Sequence, residues 1–263
     1  MKQSCDELKL TILGCRGSLP VAGEDLREFG GNSSCYQLEA RGESLFLDAG
    51  TGLLHANMPE KGPLHILLTH VHLDHVLGLP LFPALLDSSR EVVLYGSPDA
   101  CTLEEALIRL ISPPLWPLPL DRYPARVVFR PLAFPLVLGP FTVTGMRAFH
   151  PGGSVVFRVE ACGKSVVLAT DFEHTEEKIT ELAAFASGAD LLLYDTQYTG
   201  EEYASRRGFG HSTVQAGLRI LRESGAKRLL PVHHDPAHTD AFLREQEAAL
   251  GVPFAREGEV IRL

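Results

Sequence analysis

A cluster of histidines and one aspartate, in the stretch THVHLDHVLG of residues 69–78, is the strongest chemical signal in the sequence. His70, His72, Asp74 and His75 directly follow the apolar run HILLT. Neutral imidazoles and carboxylates are ligands of zinc, iron and manganese. Four such groups so close together do not converge easily on one tetrahedral ion, whereas two ions about 3.5 Å apart would use them. The spacing therefore predicts a site for two metal ions.

Three further candidate ligands also follow apolar runs that read as strands. His150 follows VTGMRAF, Asp171 follows KSVVLAT and His233 follows RLLPV. A site for two ions needs such additional ligands. Each of them alone could equally be a polar loop residue, and the adjacent His234 competes with His233 for the last position. Their joint occurrence predicts that they complete the metal site.

The elements that must position these side chains are short strands alternating with helices. The predicted strands are residues 8–13, CYQLEA, SLFLDAG, HILLT, EVVLYG, ARVVFRP, FTVTGMRAF, SVVFRVE, KSVVLAT, DLLLYD and KRLLPVHH. The predicted helices are a short one from Asp74 limited by Pro80, PDACTLEEALIRLIS, TEEKITELAAFAS, HSTVQAGLRILRESG and DAFLREQEAALG. Two similar halves, each running from strands to helices, predict an α/β (α+β) protein with two sheets face to face and helices outside.

Composition and charge disfavour several classes of partner. The chain has 263 residues, of which 45% are apolar, and a net charge of −9. Proteins that bind long nucleic acids usually carry a basic excess, so nucleic acid is disfavoured, apart from a local patch around Arg206, Arg207 and Arg219. Without a long apolar run or a secretory signal, we expect no membrane partner. The five cysteines, odd in number and without a C-x-x-C pair, favour reduced thiols and a cytoplasmic location.

Six segments of the sequence carry a family resemblance: LFLDAGTG, THVHLDH, AFHPGG, LATDFE, GFGHST and LLPVHHDP. They resemble the metallo-β-lactamase-fold hydrolases over the whole chain, residues 1–263, as a single domain. The resemblance implies a four-layer αββα sandwich and two divalent metal ions, which we expect to be zinc, with manganese and iron as alternatives. The implied ligands are His70, His72 and His150 for one ion, Asp74, His75 and His233 for the other, and Asp171 bridging both. Asp48 is similar to a carboxylate of the family that orients a ligand histidine.

GFGHST, residues 208–213, resembles the phosphodiesterase branch of this family, which includes ribonuclease Z and the cyclic phosphodiesterase of phosphonate breakdown. The resemblance implies that His211 is the general acid that protonates a leaving alkoxide, with Asp195 orienting it and Asp74 contributing to the catalytic metal site. A metal-bridging hydroxide would attack phosphorus. We therefore expect a metal-dependent hydrolase whose substrate is a small, for example cyclic, phosphodiester.

Other functions of the same fold stay open, because fold does not decide chemistry. A carboxyl-ester, lactone or thioester hydrolase would use the same metal ligands. A ribonuclease Z-like RNA-processing enzyme would share GHST, and a protein that binds metal without turnover is a further alternative. Flavodiiron oxidoreductases typically carry Glu at the position of His72, which disfavours a redox role. The family resemblance is also compatible with a homodimer.

Two further segments are candidates for the walls of a substrate pocket. The proline-rich segment 112–124, SPPLWPLPLDRYP, contains Trp116 and is predicted to be irregular. It is either a surface connection or a wall of the pocket. The glycine-rich loop 14–34 is the other candidate, since such loops approach substrates closely. Arg16 or Asn32 would then line the pocket, and Arg16 would pair with a phosphate.

Overall fold

The structure is a computed structural model that describes residues 7–97 and 102–263. Its strands form one sheet of seven strands and one of six. The sheets pack face to face, because apolar residues on the inner face of each meet in a shared core that includes Leu10, Leu38, Val143 and Phe157. Helices and short turns cover the outer faces. This arrangement is the four-layer αββα sandwich expected from the sequence.

The seven-stranded sheet has the order β13-β1-β2-β3-β4-β5-β6. Its strands are β1 (Lys9–Gly14), β2 (Cys35–Ala40), β3 (Glu43–Leu47), β4 (Leu64–Leu67), β5 (Glu91–Gly96), β6 (Arg126–Pro131) and β13 (Val260–Arg262). The predicted hairpin is formed by β2 and β3, with Tyr36 opposite Leu47. The strands from β3 to β6 are parallel neighbours, so the loops that follow them lie at the same edge of the sheet.

The six-stranded sheet has the order β12-β11-β10-β9-β8-β7. Its strands are β7 (Leu136–Leu138), β8 (Phe141–Arg147), β9 (Val155–Ala161), β10 (Lys164–Ala169), β11 (Leu191–Asp195) and β12 (Leu229–Val232). β10, β11 and β12 are parallel neighbours. The loops after β10 and β12, which carry Asp171 and His233, therefore also share one edge.

The helices of the described residues are α1 (Leu103–Leu110), α2 (Glu176–Phe185), α3 (Gly200–Ser205), α4 (Val214–Ser224) and α5 (Asp240–Leu250). Each begins after a threonine whose side chain accepts a hydrogen bond from the backbone N–H three residues later. Thr213 is the cap of α4, which fixes the start of that helix just after His211. Gly225 ends α4 in the left-handed conformation, as the sequence predicted.

The chain order of the strands differs from the expectation of two similar halves. ARVVFRP, grouped with the second half, forms β6 of the first sheet, and β13 returns from the carboxyl-terminal end to the same sheet. β7, β13 and α3 were not predicted because they are too short for periodicity to mark them. Residues after Asp74 form tight 3-10 turns, Leu73–His75 and Leu79–Leu81, instead of the expected helix. The start of the helix predicted at PDAC, residues 98–101, lies outside the described residues.

Cysteine chemistry differs in part from the expectation of reduced thiols. Cys15 and Cys35 are buried free thiols, and burial raises the pKa of Cys15 to about 12. Cys162 is disulfide-bonded, so the expectation is wrong at that position. Across residues 7–97 and 102–263, every helix is too short or too polar to serve as a membrane span.

Candidate metal centre

The candidate ligands lie on loops that follow strands of both sheets. His70, His72, Asp74 and His75 follow β4, His150 follows β8, Asp171 follows β10 and His233 follows β12. The fold brings these seven residues into two groups, and within each group the donor atoms lie within 4.8 Å of one another. All of them are buried except His72. The centre therefore forms only where the two sheets meet.

The first group contains His70, His72, His150 and Asp171. The Nε2 atoms of His70 and His150 lie 3.7 and 3.6 Å from Oδ1 of Asp171. His72 faces this group with Nδ1 rather than Nε2, and its Nδ1 lies 3.1 Å from Nε2 of His150. Three imidazole nitrogens and one carboxylate oxygen thus face a common point.

The second group contains Asp74, His75, His233 and Asp171. The Nε2 atoms of His75 and His233 lie 3.0 and 3.2 Å from Oδ2 of Asp171. Each of these nitrogens is also 3.2 Å from Oδ2 of Asp74. Asp171 therefore turns one carboxylate oxygen to each group, which is the geometry that lets a carboxylate bridge two cations.

The donors of both groups fit divalent cations better than they fit a hydrogen-bond network. Among the described residues, the buried Nε2 atoms of His70 and His75 make no hydrogen bond. An oxygen of Asp171 lies 3.7 Å from Nε2 of His70, too far for a hydrogen bond, and the other lies 3.0 Å from Nε2 of His75 without hydrogen-bond geometry. Buried polar atoms normally have partners. Cations between the donors would accept the lone pairs of these two nitrogens and balance the negative charge of Asp171.

The three imidazoles of the first group are held in the neutral form. Burial lowers the pKa of His70, of His72 and of His150. The negative charge of Asp171 opposes this change without reversing it. A neutral imidazole is the form that binds a metal ion, so this group needs no loss of protons before binding.

The two histidines of the second group, in contrast, are held in the protonated form in the metal-free protein. Burial would lower the pKa of His75 and of His233, but the carboxylates of Asp74 and Asp171 raise both. Burial would raise the pKa of Asp74 and of Asp171, but the surrounding imidazoles hold both below the usual range. Cations at this position would therefore take over the charge balance that protons on the two rings provide in the metal-free protein.

Asp48 orients one histidine of each group. Its Oδ2 accepts a hydrogen bond of 2.8 Å from Nδ1 of His75, and its Oδ1 accepts one of 2.9 Å from the hydroxyl of Thr69. Because the Thr69 hydroxyl donates to Asp48, its oxygen is left to accept from Nδ1 of His70, 3.1 Å away. Both rings therefore turn Nε2 toward the centre. The resemblance implied such a contact for Asp48, and the geometry extends it to His70.

Two other contacts set the orientation of His233 and His150. Nδ1 of His233 donates to Oε1 of Gln197 at 3.0 Å. Nδ1 of His150 donates to the carbonyl oxygen of Gly210 at 2.9 Å. Gly210 has a φ of +92°, and a Cβ atom there would lie 2.1 Å from Nδ1 of His150. Only glycine can occupy this position without moving His150.

Three of the residues at the centre adopt a left-handed backbone conformation. The φ angles of Asp48, Asp171 and His233 are 60°, 53° and 64°. Each of them follows the end of a strand. Such conformations are uncommon for residues other than glycine and occur preferentially at functional sites. Here they turn the chain sharply, so that the side chain after each strand points into the centre.

His211 lies directly beside both groups. Its ring stacks on His233, with centroids 5.0 Å apart, and meets the ring of His150 edge to face at 5.3 Å. Nδ1 of His211 donates to Oδ2 of Asp195 at 2.9 Å, which leaves Nε2 as the nitrogen that can reach a substrate. Burial would raise the pKa of Asp195, but the rings of His211 and His233 lower it. Asp195 is therefore an ionised partner for His211.

Arg16 does not face the substrate, contrary to the expectation from the sequence. Its side chain is fully buried. Nε donates to the carbonyl oxygen of Gly30 at 2.8 Å, and Nη1 donates to the carbonyl oxygens of Asp235 and His238 at 3.0 and 2.8 Å. The expectation that Arg16 pairs with a phosphate is wrong, because its donors are used to join the glycine-rich loop to the loop after β12.

Asn32 and His234 also lie outside the centre. The side-chain amide of Asn32 donates to Oε1 of Glu257 at 2.7 Å, and Asn32 lines a separate pocket of about 570 Å³ that contains no candidate ligand. Nε2 of His234 donates to the carbonyl oxygen of Ala255 at 2.9 Å. Burial lowers the pKa of His234 to about 3. His233 is thus the member of the pair that joins the metal centre.

The proline-rich segment 112–124 is anchored on the turns that follow the first ligands. The indole N–H of Trp116 donates to the hydroxyl of Tyr123 at 2.9 Å, and that hydroxyl donates to the carbonyl oxygen of Pro80 at 2.6 Å. The pocket of about 630 Å³ beside this segment contains no candidate ligand. The segment lines that separate pocket, and these contacts favour a packed surface connection over a wall of the pocket at the metal centre.

Sequence reasoning missed several polar residues that hold the centre in place, among them Thr69, Gln197 and Glu173. Thr69 and Gln197 contact ligand rings directly, and Glu173 holds the loop of His211. Thr69 and Glu173 stand within two residues of a candidate ligand, which is a usable signal. The partner of each depends on which loops meet in space, and the sequence does not contain that information.

With the fold and the geometry described, comparison with known proteins identifies the class. The family described as Beta-lactamase superfamily domain matches residues 44–234, most of the chain and all of the candidate ligands. The chain belongs to this family and is a metal-dependent hydrolase with the metallo-β-lactamase fold.

Individual relatives share the fold and the hydrolase class at low sequence identity. The chain is 26% identical to the "Probable metallo-hydrolase YhfI" of Bacillus subtilis, covering 86% of both proteins. It is 23% identical to ribonuclease Z of Azobacteroides pseudotrichonymphae, covering 92% of this chain and 93% of the relative. The crystal structure of YhfI covers 98% of this chain and 100% of YhfI, with a TM-score of 0.74 and 22% identity. A diphosphatase from the PhnP family covers 97% of this chain and 98% of the diphosphatase, with a TM-score of 0.70 and 18% identity.

Proposed function

We propose that the protein is a phosphodiesterase that uses two divalent cations and acts on a small, open-chain or cyclic phosphodiester. The observation that carries the proposal is the pair of His211 and Asp195, 2.9 Å apart, next to both donor groups. Hydrolysis of a diester expels an alkoxide, which is a poor leaving group and needs a proton donor. An imidazole that is held by an ionised carboxylate and directed at the metal centre is suited to that step.

In this proposal, His70, His72 and His150 would hold one cation, Asp74, His75 and His233 would hold the other, and Asp171 would contribute to both. Zinc fits the mixed imidazole and carboxylate donors, and manganese and iron are alternatives. Bound there, the cations would supply Lewis-acid chemistry, which lowers the pKa of coordinated water and stabilises charge on phosphoryl oxygens.

The chain's own residues account for the other parts of the reaction. Asp48, Thr69 and Gln197 fix the tautomers of three ligand histidines, so that each presents Nε2 to the centre. Asp195 fixes Nδ1 of His211 as a donor, which keeps Nε2 available to give its proton to the leaving oxygen. We expect protonation by His211 to contribute about 10²–10⁴-fold to the rate for a poor leaving group.

Two arginines of the local basic patch in the sequence, Arg206 and Arg219, are already paired with carboxylates, which supports a small substrate. Arg206 lies 3.4 Å from Asp235 and 3.8 Å from Glu202, and it also lies over the ring of Tyr198. Arg219 is paired with two glutamates. With these arginines already paired and a net charge of −9, the surface offers little attraction to a long polyanion.

Exposed apolar side chains next to the site also support a small substrate. Phe149 precedes His150 in the chain, and Phe209 lies two residues before His211. Both aromatic side chains are exposed. They would contact an apolar or aromatic group of the substrate, for example a nucleobase or an aryl ester, rather than a chain of phosphates.

Ribonuclease Z activity is the second candidate, favoured by the relatives of that name that align over most of this chain. A precursor tRNA with a 3′ trailer tests it directly. Cleavage of that RNA at rates above those for small diesters would favour the second candidate. Turnover of acyl homoserine lactones, esters or thioesters without turnover of any diester would favour the carboxyl hydrolases of the same fold.

The deciding experiment measures metal content together with hydrolysis of bis-p-nitrophenyl phosphate. We expect about two metal ions per chain and measurable hydrolysis by the wild type, and a loss of both in Asp74→Ala. Asp87→Ala is the matched control, because that carboxylate lies on an exposed turn bonded to Ser89. Two metal ions without diester hydrolysis would contradict the proposed reaction. Metal-free protein, purified without chelator, would contradict the assignment of the ligands.

A further inference from the structure

Glu173 is a buried carboxylate that contacts none of the candidate ligands through its side chain, yet it joins three loops of the site. Its Oε1 accepts a hydrogen bond of 2.7 Å from the backbone N–H of Gly208, and its Oε2 accepts one of 2.9 Å from the N–H of Gly210. The hydroxyl of Tyr203 also donates to Oε1, at 3.2 Å. Only 4% of Glu173 is exposed.

The loop that Glu173 holds is also anchored through α3, where Oε1 of Glu202 lies 3.0 Å from Nε2 of His238, and through Arg206, which lies 3.4 Å from Asp235. Tyr198 and Thr213 form an isolated bridge at its base, and α3 and the turn 206–210 lie between them. The turn itself has a hydrogen bond from the N–H of Phe209 to the carbonyl oxygen of Arg206. A backbone N–H donates one hydrogen bond, so Glu173 uses the donors of both Gly208 and Gly210.

The same loop carries the proton donor and supports one ligand. His211 directly follows Gly210 in the chain, and the carbonyl oxygen of Gly210 accepts the hydrogen bond from Nδ1 of His150. The backbone N–H of Glu173 donates to the carbonyl oxygen of Phe149 at 2.9 Å, so Glu173 also fixes the residue before His150. Glu173 itself lies two residues after Asp171. A single residue thus links the three loops: its backbone N–H contacts the loop of His150, its side chain holds the loop of His211, and it belongs to the loop of Asp171.

We propose that Glu173 is a positioning residue that sets the distance and direction of His211 relative to the metal centre. This inference depends on the proposed function, in which His211 donates a proton to the leaving group. A carboxylate suits this role because it has two oxygens, each able to accept from a separate N–H, and its charge shortens and strengthens both bonds. Asp195 fixes the tautomer of His211 from one side, and Glu173 fixes the backbone that carries it from the other.

The test compares leaving groups in Glu173→Ala and Glu173→Gln. Methyl aryl phosphates, from p-nitrophenyl to phenyl, vary the need for a proton donor without changing the rest of the substrate. For Glu173→Ala we expect a loss in kcat of about 10²-fold on the phenyl ester and less than about 5-fold on the p-nitrophenyl ester. Glu173→Gln keeps one acceptor oxygen, so its loss should be smaller and have the same dependence on the leaving group.

The double variant Glu173→Ala with His211→Ala separates positioning from general damage. If Glu173 acts through His211, the double variant should be no slower on the phenyl ester than His211→Ala alone. Glu201→Ala, which removes an exposed carboxylate from α3 of the same loop, should leave both esters unaffected. Equal losses of Glu173→Ala on all leaving groups, with unchanged metal content, would overturn the inference.

A second measurement decides the inference even if the wild type hydrolyses no diester, a result that would overturn the proposed function. The ring signals of His211 in an NMR spectrum report its position without any reaction. We expect one sharp set in the wild type and in Glu201→Ala, and broadened or multiple sets in Glu173→Ala. We also expect faster amide exchange at Gly208 and Gly210 in Glu173→Ala. Unchanged His211 signals in Glu173→Ala would overturn the positioning role.

Discussion

At the scale of single residues, the centre depends on how each histidine uses its second nitrogen. Nδ1 of His75 is held by Asp48, that of His150 by the carbonyl oxygen of Gly210 and that of His233 by Gln197. A ring fixed in this way presents one defined lone pair to a cation and loses little rotational freedom on binding. The residues behind the ligands are therefore expected to affect metal affinity without touching the metal.

Gln197→Ala should weaken metal binding by about 10–100-fold. The substitution removes the acceptor of Nδ1 of His233 and leaves the ring free to adopt the other tautomer. Competition with a chromophoric chelator measures the affinity. Gln215→Ala, on the exposed face of α4, is the control and should bind metal like the wild type. Equal affinities of Gln197→Ala and wild type would show that His233 does not need this support.

His211→Ala should lower the hydrolysis of a methyl phenyl phosphate by about 10²–10⁴-fold, but that of bis-p-nitrophenyl phosphate much less. The nitrophenolate leaves without a proton, whereas the phenolate of the other ester benefits from one. Steady-state rates on both substrates, at equal metal content, give the comparison. Similar losses on the two substrates would be incompatible with a proton-donating role for His211.

Arg16→Leu should lower the free energy of unfolding by about 3 kcal/mol or more, because it leaves the carbonyl oxygens of three loop residues without a buried donor. Denaturant unfolding of the metal-loaded protein measures this loss. Arg27→Leu removes an exposed arginine and should cost far less. Loss of substrate binding by Arg16→Leu at unchanged stability would instead support the contact with a phosphate that the structure contradicts.

At the scale of elements, the loop between β11 and α4 is the most demanding part of the site. Gly208 and Gly210 both have a positive φ, of +87° and +92°, and both donate to Glu173. A Cβ atom at Gly208 would meet no atom within 4 Å, whereas one at Gly210 would collide with His150. The two positions therefore share the backbone strain, and only Gly210 is in contact with His150.

Gly210→Ala should reduce metal content and activity far more than Gly208→Ala. Both variants carry the cost of alanine at a positive φ, about 1 kcal/mol. Only Gly210→Ala must displace His150, a candidate ligand. Elemental analysis and hydrolysis of bis-p-nitrophenyl phosphate on the two variants provide the measurement. If both variants lost metal equally, backbone strain rather than the contact with His150 would be responsible.

Most of these elements could be predicted from the sequence, and the reasons for the exceptions are physical. The helices α2, α4 and α5 have apolar periodicity and a threonine cap that can be read directly. β7 and β13 have three residues each and are held by pairing with a neighbour rather than by any pattern of their own. The partner of β13 is β1, at the other end of the chain, and nothing local specifies it.

At the scale of the whole molecule, the candidate metal centre is built from both sheets. His70, His72, Asp74 and His75 come from the first sheet and His150, Asp171 and His233 from the second. Bound cations should therefore stabilise the packing of one sheet on the other, in addition to their role in the proposed reaction.

Removal of metal by a chelator should lower the melting temperature of the protein. A cation at 1,000 times its dissociation constant contributes about 4 kcal/mol to the native state. Scanning calorimetry with and without chelator measures the change, and re-addition of zinc should reverse it. In Asp74→Ala the chelator should have much less effect. An equal melting temperature with and without chelator in the wild type would mean that the cations do not bind across the sheets.

The sequence predicted which side chains would gather, but not how the molecule holds them. The spacing of THVHLDH and the positions of His150, Asp171 and His233 after strands were visible in the chain. The left-handed backbone at Asp171 and His233 was not, because non-glycine residues adopt it only where the surrounding fold requires it. The burial of Arg16 was hidden for a related reason, since its partners are backbone carbonyls, which every residue has.

The division of the donors between the two sheets also bears on how such a protein could have arisen. The connection of residues 132–135 separates β6 from β7, and each donor group takes residues from both sides of it. A duplication in which each ancestral copy already held its own ion would have left each group within one half. The arrangement instead favours an order of events in which the ligand loops of two sheets came to face each other before the metal centre formed.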